Sequence, residues 1–116
     1  MPHTAFRAAV RTAAAVDLTV EPLVRERPVW THRVSYQGTQ AFAALARQVD
    51  IQLIRYESVR DPEHAACAAV LDPAAFGRAK PHSQHTWFIA ASRARVRCAQ
   101  DERGGTSWEF TPAQLL

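Results

Sequence analysis

The chain has 116 residues, 47% hydrophobic and 22% charged, which excludes a disordered profile and sets one globular domain with a modest core as the expectation. Its basic side is 13 Arg against a single Lys, Lys80, beside 22 Ala, a bias partly owed to GC-rich coding. The net charge of +3 admits an anionic ligand without demanding one, and arginine's planar fork suits phosphate and carboxylate.

MPHTAFRAAV lacks the long apolar core of a signal peptide, and no apolar run approaches the ~18 residues of a bilayer span, so a cytoplasmic location is expected. Residues 4–16 are ambiguous: alanine favours helix, whereas Phe6, Ala8 and Val10 alternate with Arg7, Ala9 and Arg11 as in a half-buried strand. DLTVEPLVRERP (17–28), with two prolines, reads as a surface loop. The clearest helix follows, with Ser35 as its expected N-cap and Phe42, Leu45, Ala46 and Val49 at i, i+3, i+4 and i+7. IQLIRY (51–56) is apolar on both alternations and predicts a strand covered on both faces. HAACAAVL (64–71) predicts a second buried strand in which Cys67 is a small hydrophobe. DPAAFG (72–77) is a turn, QHTWFIAAS (84–92) a third strand, and TSWEF (106–110) a fourth after the DERGG turn (101–105). This order predicts an α+β fold, with a mixed, largely antiparallel sheet and one main helix, as one domain over 1–116.

Few constellations carry chemistry. His82 and His85 form an H-x-x-H pair with no supporting ligand at a zinc spacing, so no metal site is expected. SRARVR (92–97) would place Arg93, Arg95 and Arg97 on one face of a continuing strand, either as a phosphate-tracking surface or as a charged, protected edge. Trp30, Trp87 and Trp108 read as core packing, with base stacking the lesser alternative. Cys67 and Cys98 define no disulfide framework, and Glu57 and Asp61 flank a turn without a fixed separation. Gly-rich phosphate loops, G-x-S-x-G and H-E-x-x-H are absent. Only RYESVRD (55–61), at the junction of two apolar segments, has the density of polar groups expected of a site.

IQLIRYESVRDPEHAACAAVLDPAAF resembles the C-terminal part of the RES domain, a bacterial family named for Arg, Glu and Ser whose members act as toxins of toxin–antitoxin pairs. The resemblance rests on Tyr56-x-Ser58-x-Arg60, the strand after it and the turn Pro73 to Phe76, supported by DLT (17–19), Trp30-Thr31 and HTWFIAASRARV (85–96). It implies a fold similar to the ADP-ribosyltransferase class, and breakdown of NAD+ at the bond between nicotinamide and ribose. Under it Ser58 is the catalytic serine that fixes the substrate's pose, while Tyr56, Arg60 and Arg55 are assigned to NAD+ binding. It also implies NAD+ as substrate without a metal, and a cognate antitoxin that blocks the NAD+ site with its own terminus. The family's Arg and Glu are expected upstream of the equivalent of Phe6, so the chain reads as a partial domain; neither role transfers to Arg7, Arg11 or Glu21. Relatives tend to be Gly-rich after the Arg60 position, where this chain has Pro62, Glu63 and His64. Two alternatives stand beside an NAD+-consuming toxin: a catalytically inactive remnant, and a small basic nucleic-acid-binding module using SRARVR and the tryptophans.

Overall fold

In the computed structural model, which describes residues 1–78, 80–100 and 107–115, the chain divides into two compact units. Residues 10–77 form one; residues 1–9 together with 78–116 form the other. Both belong to the expected α+β class. The sheets are mixed in one unit and antiparallel in the other, with a single long helix.

Residues 10–77 build a three-stranded sheet from β2 (Ala15–Asp17), β3 (Leu53–Glu57) and β4 (Ala66–Val70), in the order β2-β3-β4. β2 runs parallel to β3, and β4 antiparallel to it, with Tyr56 opposite Cys67. Leu53 and Ile54, adjacent in sequence and so on opposite sides of the strand, are both buried, as the apolar alternation of IQLI requires. β4 departs from expectation. It is an edge strand in which Ala66 and Ala68 are exposed and Cys67, Ala69 and Val70 half-buried, because no further strand covers that side. Pro73–Ala75 makes the anticipated turn as a 3-10 segment, capped by the Asp72 carboxylate accepting from the Ala74 N–H at 2.9 Å.

The 17–28 segment is more ordered than a loop: Leu23–Glu26 is a 3-10 turn running into the short helix α1 (Arg27–Trp30), with Pro28 in its first turn, where a missing N–H costs nothing. The main helix, α2 (Gln37–Gln48), starts two residues after Ser35. Ser35 is not its N-cap; Tyr36 holds that position without a side-chain cap, while the Ser35 N–H is taken by His32 Nδ1 at 2.8 Å. The buried side of α2 is Phe42, Ala43 and Ala46, whereas Leu45 and Val49 of the expected stripe are exposed. Gly38 is the close-approach point: a Cβ there would lie 2.2 Å from Val29 Cγ1 of α1. The core is Leu18, Ala46 and Ile54, ringed by half-buried side chains including Trp30, Phe42, Tyr56 and Ala69. Trp30 meets the Phe42 ring edge-on at 5.2 Å and donates its indole N–H to the Leu23 carbonyl at 2.7 Å, so its expected core role holds.

The other unit is a four-stranded antiparallel sheet, β1-β5-β6-β7, made of β1 (Pro2–Arg7), β5 (His82–Ala91), β6 (Val96–Gln100) and β7 (Ser107–Phe110), followed by α3 (Pro112–Leu115). The ambiguous N-terminal segment is therefore strand at Pro2–Arg7 and Ala15–Asp17. SRARVR does not continue a strand. Ser92 Oγ accepts the Ala94 and Arg95 N–H groups and reverses the chain, so Arg93 and Arg95 sit in a turn and only Arg97 lies on β6. The DERGG turn at 101–105 lies outside the described residues. Among the described residues no helix is long and apolar enough to cross a membrane.

Candidate functional site

RYESVRD sits where β3 ends and the chain turns toward β4. Strand alternation places Arg55, Tyr56 and Glu57, and the turn after Glu57 places Ser58, Val59 and Arg60. Ile54 and Tyr56 lie on the side of β3 that faces α2, and Tyr56, Ser58 and Arg60 all reach one cleft. Arg55 points the other way. Its Nη1 lies 3.0 Å from Asp17 Oδ2 and 3.1 Å from Thr19 Oγ1, so it ties β3 to the turn after β2. Asp17 is held below the usual carboxylate range, chiefly by the Thr19 hydroxyl and also by the Thr19 N–H and Arg55.

The cleft has two compartments that share His32, Tyr36, Tyr56 and Val59. The inner one, about 330 Å³, is walled mainly by Leu18, Trp30, Phe42, Ile54 and Ala69. That is an apolar chamber suited to a planar ring. The outer one, about 180 Å³, is completed by Arg33, Ser58, Arg60 and Cys67, which add polar side chains to a wall that is still mainly apolar. Arg60 Nη2 bridges the Arg33 carbonyl at 3.2 Å and Tyr36 Oη at 3.3 Å, which fixes its guanidinium over the outer mouth. Burial pushes the Tyr56 hydroxyl above the ordinary phenol range, and the neighbouring Cys67 adds to that shift. Cys67 is thus half-buried in the cleft wall and is not the core hydrophobe that its alanine-rich surroundings indicate.

Among the described residues no carboxylate lines either compartment. Glu57 is on the opposite side of β3, where Arg27 grips it through Nε at 2.8 Å and Nη2 at 2.7 Å and His64 Nδ1 approaches at 3.2 Å. The Arg27 guanidinium first, with His64 beside it, holds Glu57 below the usual glutamate range. Asp61 shapes the turn: its oxygens accept the Glu63 and Ala65 N–H groups, and its own N–H meets Ser58 Oγ at 3.3 Å. Glu57 and Asp61 therefore do not form a catalytic pair. With Ser58 Oγ accepting from Asp61, the hydroxyl proton remains available to a ligand. The Pro62-Glu63-His64 turn reaches left-handed backbone at His64, φ 53°, the conformation that glycine adopts most easily.

Sequence reading missed His32, Arg33 and Tyr36. They lie some twenty residues before RYESVRD, and only the packing of α2 over β3 brings them to it; the sole local hint was a polar, aromatic stretch, THRVSY, just ahead of a helix.

In the other unit the basic and aromatic residues do not converge. Trp87 and Trp108 stack at 5.3 Å, 16° from parallel, on the sheet face shared with Cys98, and Trp108 is exposed, unlike a core residue. Arg97 lies opposite Glu109 on the other face, and Arg95 pairs with Glu109 at 2.7 Å. His82 and His85 lie on β5, and no group of three or more His, Cys, Asp or Glu among the described residues is arranged to hold a metal.

No curated protein matches the chain. Residues 1–91 match the RES domain, and that match takes in β1 to β5 together with the whole cleft. A Tyr-x-Ser-x-Arg strand end facing a helix-borne aromatic wall, within a chain matched over most of its length, places this protein in the RES domain family.

Proposed function

We propose that the cleft between β3 and α2 is the nucleotide-holding wall of a RES-type NAD+ site, and that the protein acts on NAD+ as a toxin-like member of a toxin–antitoxin pair. One observation carries this reading. Tyr56, Ser58 and Arg60 join His32, Arg33 and Tyr36 in a mouth rich in hydrogen-bond donors and free of carboxylates, directly above an apolar chamber. A dinucleotide needs those two environments side by side: the ring in the chamber, and the phosphates against Arg33 and Arg60. The cations must be local, because residues 10–77 carry seven basic and eight acidic side chains and provide no attracting field of their own.

In the reaction, the bond between ribose C1′ and the nicotinamide nitrogen breaks with its electron pair passing to the ring. The ribosyl cation is then captured by water, which gives ADP-ribose, nicotinamide and a proton. Ser58, by hydrogen-bonding the substrate, holds the ribose in the orientation that favours this departure. Stabilising the oxocarbenium-like state calls for a facing carboxylate, which the lining residues do not supply. The described lining residues therefore account for binding NAD+ and orienting its ribose, and the rate of nicotinamide release reports whether a carboxylate joins them. An ADP-ribosyltransferase-like arrangement and a cytoplasmic setting follow from the same reading, as does an antitoxin whose terminus enters the cleft.

Titration calorimetry with NAD+, paired with chromatographic measurement of nicotinamide, tests this. Saturable binding that weakens about tenfold in Arg33→Ala or Arg60→Ala and a few-fold in Ser58→Ala is expected. Absence of saturable binding by the unaltered chain overturns it.

A further inference from the structure

His32 lines both compartments of the cleft, yet its ring is not loosely placed. Nδ1 accepts two backbone hydrogen bonds, from the Val34 N–H at 3.2 Å and the Ser35 N–H at 2.8 Å. A ring nitrogen that accepts cannot carry the proton, so in the neutral imidazole the hydrogen belongs to Nε2. The backbone has in effect chosen the tautomer. The remaining polar atom of the ring, Nε2, is then a donor on a residue that lines both the apolar chamber and the arginine mouth.

That seam has a definite chemical counterpart. With a planar base in the chamber and phosphates at Arg33 and Arg60, the part of a nucleotide that spans the junction is the sugar. Arg33 follows His32 directly, and Arg60, from the connection after β3, is tethered to the Arg33 carbonyl and to Tyr36, so donor and phosphate contacts lie side by side. We infer that His32 is a specificity-determining residue that donates Nε2–H to a hydroxyl of the ribose held between chamber and mouth. The role rests on the NAD+ reading above and extends it from phosphate and ring to the sugar. It favours ribonucleotides over deoxyribonucleotides by the modest margin of one hydrogen bond, because His32 is exposed and water takes the donor when the hydroxyl is missing.

His32→Asn separates this role from a structural one. An asparagine Oδ1 can accept the same following N–H groups, as in an Asx turn, but places no donor where Nε2 stood. Three measurements follow. Long-range proton–nitrogen correlation spectra of the free protein should show a protonated Nε2 and a bare Nδ1 for His32; the opposite tautomer overturns the inference. By calorimetry, the unaltered protein should bind NAD+ about fivefold more tightly than an analogue lacking one hydroxyl of the nicotinamide ribose. His32→Asn should keep the melting temperature, bind NAD+ about fivefold more weakly and no longer distinguish NAD+ from that analogue. Full discrimination retained in His32→Asn, with NAD+ still bound, overturns the role of His32 alone. Failure of the unaltered chain to bind NAD+ overturns the nucleotide reading and the inference with it.

Discussion

The two units are built on different terms. Among the described residues, 10–77 hold every buried hydrophobic side chain, namely Leu18, Ala46, Leu53, Ile54 and Ala75. The unit formed by residues 1–9 and 78–116 has more strands but no buried side chain among its described residues. A sheet's backbone ladder contributes little net free energy when water competes for the same hydrogen bonds, so burial of its faces decides stability. The charge is divided as well. Seven basic and three acidic residues fall in the coreless unit, against seven and eight in the one with the cleft. Thus the unit that has a core also has the candidate site, and the unit with the excess positive charge has neither.

The sharpest way to break this contrast is a matched pair of truncations. Ile54→Ala removes a side chain at 5% exposure from the centre of the core and should cost about 2–4 kcal/mol, lowering Tm by on the order of 10 °C. Ile89→Ala, on half-buried β5, should cost about 1 kcal/mol or less. Equal losses in thermal melts would mean that the four-stranded sheet is covered in solution. Next in size is Gly38→Ala. Helix propensity favours alanine by about 1 kcal/mol, but the 2.2 Å approach to Val29 Cγ1 forces a shift, and overpacking costs about 1–3 kcal/mol. A net loss near 1 kcal/mol is expected from denaturant unfolding, and Val29→Ala in the same chain should recover it. Smaller again is Trp108→Ala. It removes the stacked partner of Trp87 at an exposed position and should cost about 0.5–1 kcal/mol, seen as faster amide exchange in β6 and β7 with β3 unchanged.

What the sequence made legible divides along the same line. β3 was readable because continuous apolar alternation is a local property that burial on two faces explains. Tyr56, Ser58 and Arg60 were grouped by the Tyr-x-Ser-x-Arg resemblance; β3 ends at Glu57, and the turn beyond it brings Ser58 and Arg60, with Val59, to the cleft that Tyr56 faces. Arg55, which the resemblance assigned to NAD+ binding with them, instead falls on the opposite face of β3 and pairs with Asp17. The misread features depend on neighbours. HAACAAVL is apolar enough for a central strand, yet nothing in its residues reveals that it ends up at a sheet edge. Leu45 and Val49 fit a helical stripe, but the sheet below α2 spans only three strands and takes up Phe42, Ala43 and Ala46. His32, Arg33 and Tyr36 required knowledge of which strand α2 covers. SRARVR failed for a different cause: Ser92 captures two following N–H groups and turns the chain before the arginines can alternate.

The smallest expected effect concerns Glu57, which divides a single strand into a structural face and a ligand face. Arg27 and His64 lower its pKa, so the folded protein holds a proton there less readily than the unfolded chain. A depressed carboxyl contributes stability that is fully present above the unfolded value, about 4.3 for glutamate, and is lost as pH falls through the lower folded value. Arg27 is half-exposed, which screens the pair, so Glu57→Gln should lower Tm by only a few degrees at pH 7. The difference between the two proteins should hold down to about pH 5, shrink below about pH 4.3 and vanish in stronger acid. Because Glu57 faces away from the cleft, NAD+ affinity at pH 7 should be unchanged by the same substitution. A Glu57→Gln protein of normal stability that had lost NAD+ binding would place the carboxylate on the ligand's side of β3 and undo the division between the two faces.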